Sequence, residues 1–324
     1  MIAFWLNWDI NAFAFSRLLT KNNHCINRPG KRPVYFLTIF CFLPLHIKNE
    51  CGIIMSIKLK TTKGIRCRKG VFMPNNPINH DEKIQLTVQW LRDQVINANA
   101  KGIIVGISGG IDSAVVAHLI KRAFPDDSLG LIIPINSSQI DADDGIQVAE
   151  SAELSYRIIN GTEVHQDLYY QIMDILENGA DITPDARRIS EANLRARLRM
   201  CTLYTAANAL NYLVAGTDNA AELYTGYFTK YGDGGVDILP IARLLKREVY
   251  QWAELLGVPE SIIARSPSAG LWEGQTDESE MGISYAVIDA FLAGENVSEE
   301  EAEKLEKMHR QTMHKRTMPP LPDW

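Results

Sequence analysis

One uninterrupted run of strand, glycine-turn and helix signals, between residues 102 and 124, constrains the fold of this chain most. GIIVGI (102–107) is a short β-branched segment of the kind found in a buried parallel strand. Ser-Gly-Gly follows directly, and DSAVVAHLIKRAF (112–124) then spaces its apolar residues as a helix does. Strand, turn and helix without a linker predict the first half of a βαβ unit.

The same alternation continues along the chain. It predicts a three-layer α/β/α architecture around a central parallel sheet, whose ligand sites lie at the carboxyl ends of the strands. Ser108 and Thr217 both follow strand-like runs, so both are expected at one crevice. The further strand-like runs are 129–135, 156–159 and 212–215, the helix-like segments are 80–98, 141–153, 163–178, 190–210 and 243–256, and a long polar loop is expected over 266–279.

Charge divides the chain into two parts. Residues 1–72 contain 12 of the 33 Lys and Arg residues but only two acids, Asp9 and Glu50, which leaves 21 basic and 37 acidic residues for 73–324. An acidic domain repels a polyanion at long range, which argues against a sequence-independent nucleic-acid binder but leaves room for a local basic pocket that holds one nucleotide. Four of the five cysteines also precede residue 73. The single Cys201 beyond it gives no disulfide framework, as expected of a cytoplasmic protein.

Residues 1–72 are predicted to be a basic extension separate from a 73–324 domain. The apolar run 35–47 is shorter than the roughly 20 residues of a membrane-spanning helix, so a spanning segment is not expected there. The first residues are apolar and precede the bases, unlike a secretory signal. Three readings stay open: a dispensable extension with a natural start at Met73, a targeting or membrane-surface segment, and an integral part of the fold.

The sharpest chemical signal is the octapeptide GISGGIDS. Backbone N–H groups at the start of a helix favour a bound anion, but an aspartate there would repel a phosphate unless a cation lay between them. Asp112 is therefore predicted to bind Mg²⁺, which would bridge carboxylate and phosphate oxygens. The candidate phosphate-binding residues are Gly106, Ile107, Ser108, Gly109, Gly110, Ile111, Asp112 and Ser113.

SGGxDS after an apolar strand resembles the pyrophosphate loop of the N-type ATP pyrophosphatases. These enzymes cleave ATP between its α- and β-phosphates and adenylate a substrate oxygen, which a nitrogen or sulfur nucleophile then displaces. The resemblance implies an adenine nucleotide alpha hydrolase-like, Rossmann-like fold. Walker and dinucleotide-binding glycine fingerprints are both absent from the octapeptide.

Downstream runs resemble one member of this superfamily, the NAD synthetase family, over essentially all of 73–324. They are ARLRM (196–200), GTDNAAE (216–222), FTKYGDGG (228–235) and the basic triplet 314–316. The resemblance implies amidation of nicotinic acid adenine dinucleotide (deamido-NAD) to NAD⁺ through an acyl-adenylate, with ATP and ammonia as co-substrates. AMP and pyrophosphate would be the other products.

The resemblance also implies roles for individual residues. Thr217, Lys246 and Ser268 would contact ATP together with the octapeptide, and Glu222 would join Asp112 as a Mg²⁺ ligand. Relatives build the dinucleotide site across a homodimer interface, which the long 190–210 helix is expected to help form. The residues that match the deamido-NAD site are Arg197, Lys230, Asp237, His314 and Lys315.

Several plainer interpretations compete with these assignments. Without the resemblance, Glu222, Arg197, Lys230 and Lys246 would be read as solvated surface charges. Three further residues have no assigned role. His118 is predicted to pack within its helix, His309 to lie at the surface, and Cys201 to be buried and inert.

Other functions also stay open: a GMP synthetase core, a tRNA-modifying enzyme, or a nucleotide-binding regulator without turnover. The extension of 72 residues is too short for the amidase domain of glutamine-dependent relatives. Ammonia is therefore the expected nitrogen source, although a separate amidase subunit is a further alternative.

Overall fold

The structure, a computed structural model, describes residues 79–177, 179, 181–265 and 276–322. The extension 1–72 and Ser268 lie outside these residues, so the predictions made for them stay predictions. Within the described ranges no helix is both long and apolar enough to cross a membrane.

The centre of the molecule is a parallel sheet of four strands in the order β3-β2-β1-β4. Its strands are β1 (Gly102–Gly106), β2 (Ser128–Ile132), β3 (Tyr156–Ile158) and β4 (Tyr212–Ala215). The central strand β1 aligns Ile104 with Leu129 of β2 and with Val214 of β4. Because β1 and β4 are neighbours, the segments that follow them emerge side by side at the carboxyl edge.

The predicted helix-like segments correspond to the first five helices and the seventh, and the remaining helices were not predicted. In chain order the helices are α1 (His80–Asn97), α2 (Ile111–Ala123), α3 (Gln139–Ser151), α4 (Thr162–Glu177), α5 (Pro184–Leu210), α6 (Ala220–Thr225), α7 (Lys246–Leu256), α8 (Glu260–Ile263), α9 (Asp277–Met281), α10 (Tyr285–Ala293) and α11 (Glu299–Gln311).

Side chains alternate across β1 and give the sheet two apolar faces. Ile103 and Val105 pack with apolar residues of α1, α2, α3 and α7, whereas Ile104 packs with those of α5. All three β1 side chains are fully buried. Helices therefore cover both faces of a parallel sheet, and the predicted three-layer architecture is confirmed.

A smaller apolar cluster stabilises the region after β4. It joins α6, α10 and α11 through Ala221, Ile288 and Leu305, each fully buried. Arg316 strengthens the attachment by donating to the carbonyls of Leu223 and His309. The last helices of the chain therefore support the segment that carries the GTDNAAE run.

Element bounds differ from the sequence prediction where capping decides them. Helix α5 begins six residues before the predicted 190, because Thr183 caps it and Pro184 occupies its first turn. Helix α7 begins at Lys246 instead of 243. The predicted loop 266–279 ends early, since Thr276 caps α9.

Candidate active site

The glycine loop between β1 and α2 has a conformation that only glycine adopts readily. Gly109 has a φ of +81°, and a Cβ there would lie 2.8 Å from the Asp144 Cβ. The Ser113 hydroxyl donates to the Gly110 carbonyl and accepts from the Ser108 N–H. Gly110 has no side chain to cap α2. Hydrogen bonds of the Ser113 hydroxyl therefore fix the loop that leads to the free N–H groups at the start of α2.

Asp112, in the first turn of α2, meets two residues from distant parts of the chain. Lys246 Nζ lies 2.5 Å from Asp112 Oδ2 and 3.7 Å from Glu222 Oε1. The Lys246 side chain is only 3% exposed, and both carboxylates are largely buried. We call Asp112, Lys246 and Glu222 the charged centre.

Asn219 joins the two strand ends that form this centre. Its side-chain amide donates to Asp112 Oδ1 at 2.9 Å, and its side-chain oxygen accepts from the N–H groups of Ala221 and Glu222. In return, Asn219 N–H donates to Glu222 Oε2 at 3.0 Å, which completes a capping box at the start of α6. One fully buried residue therefore orients both carboxylates of the charged centre.

Burial makes the electrostatics of this region unusual. Burial and the nearby Asp112 raise the pKa of Glu222 to about 8. Burial would lower the pKa of the Lys246 ammonium, but Asp112 and Glu222 outweigh that effect and raise it. Asp218 Oδ2 is buried without a hydrogen-bond partner among the described residues, and burial raises the pKa of Asp218 well above its usual value. A cation bound beside these groups would favour their charged forms.

The centre lies at a cavity of about 530 Å³ at the carboxyl edge of the sheet. A cavity of this volume accommodates a ligand of nucleotide size. The sequence-predicted residues that line it are Gly106, Ile107, Ser108, Gly110, Ile111, Asp112, Ser113, Thr217, Glu222 and Lys315. Lys246 reaches this group through its contact with Asp112.

A second group of predicted residues lies together, away from the lining of this cavity. Arg197 donates to the Lys230 carbonyl at 3.4 Å, and Lys230 Nζ donates to the His314 carbonyl at 2.6 Å. Lys315 connects the groups, since it lines the cavity and donates to the carbonyls of Gly226 and Phe228. Arg197 and His314 are solvent-exposed, so this group is open to a ligand or to another protein chain.

Asp237 belongs to neither group. Its carboxylate accepts from the Val214 N–H at 2.8 Å and from the Tyr204 hydroxyl at 2.9 Å, which ties α5 to β4. Asp237 does not line the cavity of the charged centre. Its visible contacts are therefore structural.

One prediction about an individual residue was wrong, and another was confirmed. Cys201 is exposed on α5, although it was expected to be buried. His309, expected at the surface, is half-buried, and its ring stacks on Tyr224 with centroids 4.3 Å apart. His118 packs within α2 as predicted, with Nδ1 2.9 Å from the Ala114 carbonyl oxygen.

Sequence reasoning missed residues that the structure brings to the centre. Asn219 had a readable signal, since an N-cap residue three positions before Glu222 is a capping box. Arg199 lines the cavity and donates to the Ile133 carbonyl and the Ser137 hydroxyl. Burial and Arg195 lower the pKa of the Arg199 guanidinium to about 10. No pattern in the sequence distinguished Arg199 from Arg197.

The arrangement combines groups suited to a polyphosphate. Helix α2 offers N–H donors, the charged centre offers an ammonium and two carboxylates, and the cavity offers further cations at Arg199 and Lys315. Within the described ranges, no group of three or more His, Cys, Asp or Glu side chains is arranged to hold a metal ion alone. Mg²⁺ is commonly held by one or two carboxylates together with substrate phosphates.

Comparison with known proteins agrees with this geometry. The NAD synthase family model matches residues 83–319. An NH(3)-dependent NAD(+) synthetase from Alkaliphilus oremlandii is 58% identical over 244 residues, which cover 75% of this chain and 98% of the relative.

Solved structures are also similar. An NMN synthetase from Francisella tularensis matches with a TM-score of 0.70 and 37% identity, over 76% of this chain and 99% of that one. An NH3-dependent NAD synthetase from Campylobacter jejuni, in complex with the nitrate ion, matches with a TM-score of 0.60 and 27% identity, over 76% and 99%.

Proposed function

The chain belongs to the NAD synthase family, and on this basis we propose that it catalyses the ATP-dependent amidation of deamido-NAD by ammonia. The products are NAD⁺, AMP and pyrophosphate, so the enzyme is a ligase that forms a C–N bond. The observation that carries this proposal is the charged centre, which lies beside the glycine loop at a cavity of nucleotide size.

The glycine loop and Lys246 are assigned to ATP. The octapeptide, Gly109 included, surrounds the phosphates, and the N–H groups of α2 donate to their oxygens. Thr217 and Ser268 complete the ATP contacts. The Lys246 ammonium moves its interaction from Asp112 to the phosphate charge, which grows on the leaving pyrophosphate.

The carboxylates of Asp112 and Glu222 are assigned to Mg²⁺. The donor set fits this ion, because two carboxylates, Asp112 and Glu222, lie together at the cavity. A bound Mg²⁺ would neutralise charge on the phosphates and on the pyrophosphate. The Asn219 side-chain amide donates to Asp112, and the Asn219 backbone N–H donates to Glu222. Both carboxylates are therefore oriented before the ion binds.

Two chemical steps follow from these assignments. A carboxylate is a poor electrophile, so the nicotinate carboxylate oxygen first attacks the α-phosphorus of ATP and pyrophosphate leaves. Ammonia then attacks the carbonyl carbon of the acyl-adenylate, AMP leaves with the bonding electrons, and the surplus proton passes to solvent or buffer. The protein contributes chiefly orientation and charge neutralisation.

The group around Arg197, Lys230 and His314 is assigned to deamido-NAD, with Lys315 and Asp237. Its cations suit a pyrophosphate-containing ligand with a carboxylate at the reacting end. The exposed position of Arg197 supports a site that a second copy of the chain completes.

We further propose a homodimer. The residues at positions 164, 168, 172 and 175 of α4 are Val, Leu, Ile and Ile, and they form an exposed apolar stripe along the helix. Ile158 of β3 and Ile189 of α5 are also exposed, and Ile189 additionally lines the cavity. Large exposed apolar surfaces of this kind commonly mark protein interfaces.

Residues 73–324 are proposed to form the synthetase domain, with 1–72 a dispensable extension, in a cytoplasmic enzyme. The family match begins at residue 83, and Cys201 is the only cysteine after Cys67. The domain assignment predicts that a 73–324 fragment keeps the activity of the full chain. An inactive fragment beside an active full chain would show that the extension belongs to the working fold.

The decisive experiment uses the purified full chain with MgATP, deamido-NAD and ammonium. Equimolar NAD⁺, AMP and pyrophosphate are expected, with glutamine ineffective in a parallel reaction. Formation of ADP and phosphate would contradict cleavage between the α- and β-phosphates. Activity with glutamine alone would contradict ammonia dependence.

The similarity to an NMN synthetase favours a second candidate, amidation of the corresponding mononucleotide. The same assay distinguishes the candidates when nicotinic acid mononucleotide replaces deamido-NAD. A higher kcat/KM for the mononucleotide would reverse our choice of substrate. The higher identity of the NAD synthetase from Alkaliphilus oremlandii supports the dinucleotide.

A further inference from the structure

Tyr285, the first residue of α10, lies against the charged centre and was not among the predicted site residues. Its hydroxyl lies 2.9 Å from Asp277 Oδ2 and 3.2 Å from Glu222 Oε1. Lys246 Nζ lies 4.7 Å from the centroid of its ring. One buried side chain therefore contacts both an acidic and the basic member of the charged centre.

The Tyr285 hydroxyl has one proton and two carboxylate acceptors. A neutral phenol donates one hydrogen bond, so the hydroxyl can serve one of these carboxylates at a time. Asp277 is the nearer of the two. The Tyr227 hydroxyl also lies 3.2 Å from Asp277 Oδ1, but it is closer to Glu280 Oε2, at 2.7 Å. Both Glu222 and Asp277 are within hydrogen-bond distance of the Tyr285 hydroxyl, so its proton can be given to either carboxylate.

Glu222 is then held at both oxygens. Asn219 N–H donates to Oε2 at 3.0 Å, and Tyr285 approaches Oε1 at 3.2 Å. The remaining lone pairs of this carboxylate stay available on the cavity that Glu222 lines. A carboxylate with two fixed donors has little rotational freedom, and ligand groups restrained in this way bind metal ions more tightly.

We propose that Tyr285 is a positioning residue for the cation site, which orients Glu222 through its hydroxyl and holds Lys246 beside its ring. This inference rests on the proposed function, because that function assigns Glu222 to Mg²⁺. Asp277 is the alternative acceptor for the Tyr285 proton and is not itself a ligand of the ion.

The test removes only the hydroxyl, with Tyr285→Phe in the full chain. Mn²⁺ is the probe, and its binding in the presence of α,β-methylene-ATP is followed by electron paramagnetic resonance. We expect the Mn²⁺ dissociation constant to rise about tenfold, in the range typical for loss of a residue that orients a metal ligand. The Mg²⁺ concentration that gives half-maximal rate should rise in parallel, while KM for deamido-NAD stays unchanged.

Tyr212→Phe is the matched control. Tyr212 also donates to an aspartate, Asp127, at 3.1 Å, but at the amino edge of the sheet. This variant should bind Mn²⁺ as the wild type does. Unchanged Mn²⁺ affinity in Tyr285→Phe, or an equal loss in both variants, would overturn the inference.

A second variant tests the role given to Asp277 and does not depend on the folding of the first. Asp277→Asn keeps the volume and offers a weaker acceptor, which shifts the Tyr285 proton toward Glu222. Mn²⁺ affinity should stay within about threefold of wild type, well short of the loss typical for a metal ligand. A loss as large as that in Glu222→Gln would make Asp277 the ligand and overturn the inference.

The activity of the wild-type protein distinguishes failure of the proposed function from failure of the positioning role. If it forms no NAD⁺ from deamido-NAD and ammonium, the proposed function fails. If it is active and Tyr285→Phe keeps wild-type Mn²⁺ affinity, the proposed function stands and the positioning role fails. Thermal unfolding of each ligand-free variant shows that binding is measured on folded protein.

Discussion

Lys246 is a buried charged residue that depends on its neighbours for compensation. Its ammonium is nearly fully buried, yet its pKa is raised, because Asp112 and Glu222 compensate for the lost hydration. The two buried carboxylates are in turn stabilised by the Lys246 ammonium. Removing either side leaves uncompensated buried charge, which typically costs several kcal/mol.

Lys246→Met should therefore reduce both stability and activity. We expect the free energy of unfolding to fall by about 3 kcal/mol and kcat to fall by about 100-fold, because the leaving pyrophosphate loses its ammonium. Urea unfolding and initial rates measure the two effects. Lys307→Met, at an exposed lysine of α11, is the control and should change neither. A fully active Lys246→Met enzyme would refute the assignment of this lysine to ATP.

His118 gives the protein a pH dependence that is independent of the site. Burial lowers the pKa of His118 below the usual histidine value of about 6.5, and Nε2 has no hydrogen-bond partner among the described residues. Below pH 6.5 the unfolded chain binds a proton that the folded protein resists. The contribution of neutral His118 to the free energy of unfolding is therefore present above that pH and is lost as the pH falls.

His118→Leu should flatten this pH dependence. For the wild type, the contribution of one histidine is at most about 1.4 kcal/mol per pH unit. The measurement is the free energy of unfolding from urea titrations between about pH 7.5 and about pH 5.5. An identical slope in variant and wild type would show that another group causes the pH dependence.

At the scale of elements, the loop between β1 and α2 depends on one glycine. Gly109→Ala would force a side chain into the left-handed region and against Asp144. We expect a loss of about 1–3 kcal/mol of stability and a much weaker binding of ATP. Gly179→Ala is the control, because its Cβ would meet no atom of the described residues within 4 Å. Calorimetric titration with an ATP analogue and thermal unfolding check both variants.

Most elements of the sheet could be predicted from the sequence, because their causes are local. The strand-like runs predicted the four strands of the described sheet, and the glycine loop predicted the start of α2 within one residue. Apolar periodicity alone did not predict where α5, α7 and α9 begin, because these positions also depend on capping residues. Thr183 and Thr276 were readable as caps, but their side-chain bonds form only in the folded chain.

The environment of individual side chains on α5 could not be predicted. Arg197 and Arg199 are two residues apart, so they point about 200° from each other around the helix axis. Which of them faces the cavity depends on the rotation of α5 against the sheet, which long-range packing sets. The same uncertainty misplaced Cys201, whose apolar character favours burial in general.

At the scale of the whole molecule, the α4 stripe predicts the assembly. Leu168→Glu places a charge in the middle of the proposed interface, so the dimer should dissociate. We expect analytical ultracentrifugation to detect a monomer, with a marked loss of affinity for deamido-NAD and a smaller loss for ATP. Leu255→Glu, at an exposed leucine of α7, should leave the assembly intact.

Two results would contradict the dimer model. A wild-type protein that sediments as a monomer under assay conditions would exclude it. A Leu168→Glu monomer with unchanged KM for deamido-NAD would show that the second copy does not contribute to the substrate site.

The strand order β3-β2-β1-β4 also has a consequence for biosynthesis. Asp112 and Asn219 are 107 residues apart in the chain, and β4 is the last strand of the sheet to leave the ribosome. Until then one edge of β1 has no partner, and such edges promote aggregation of nascent chains. Pairing of β4 closes that edge and brings Asn219 to Asp112 in the same event. Acquisition of nucleotide binding by a growing chain would therefore report that the open edge of β1 has been paired.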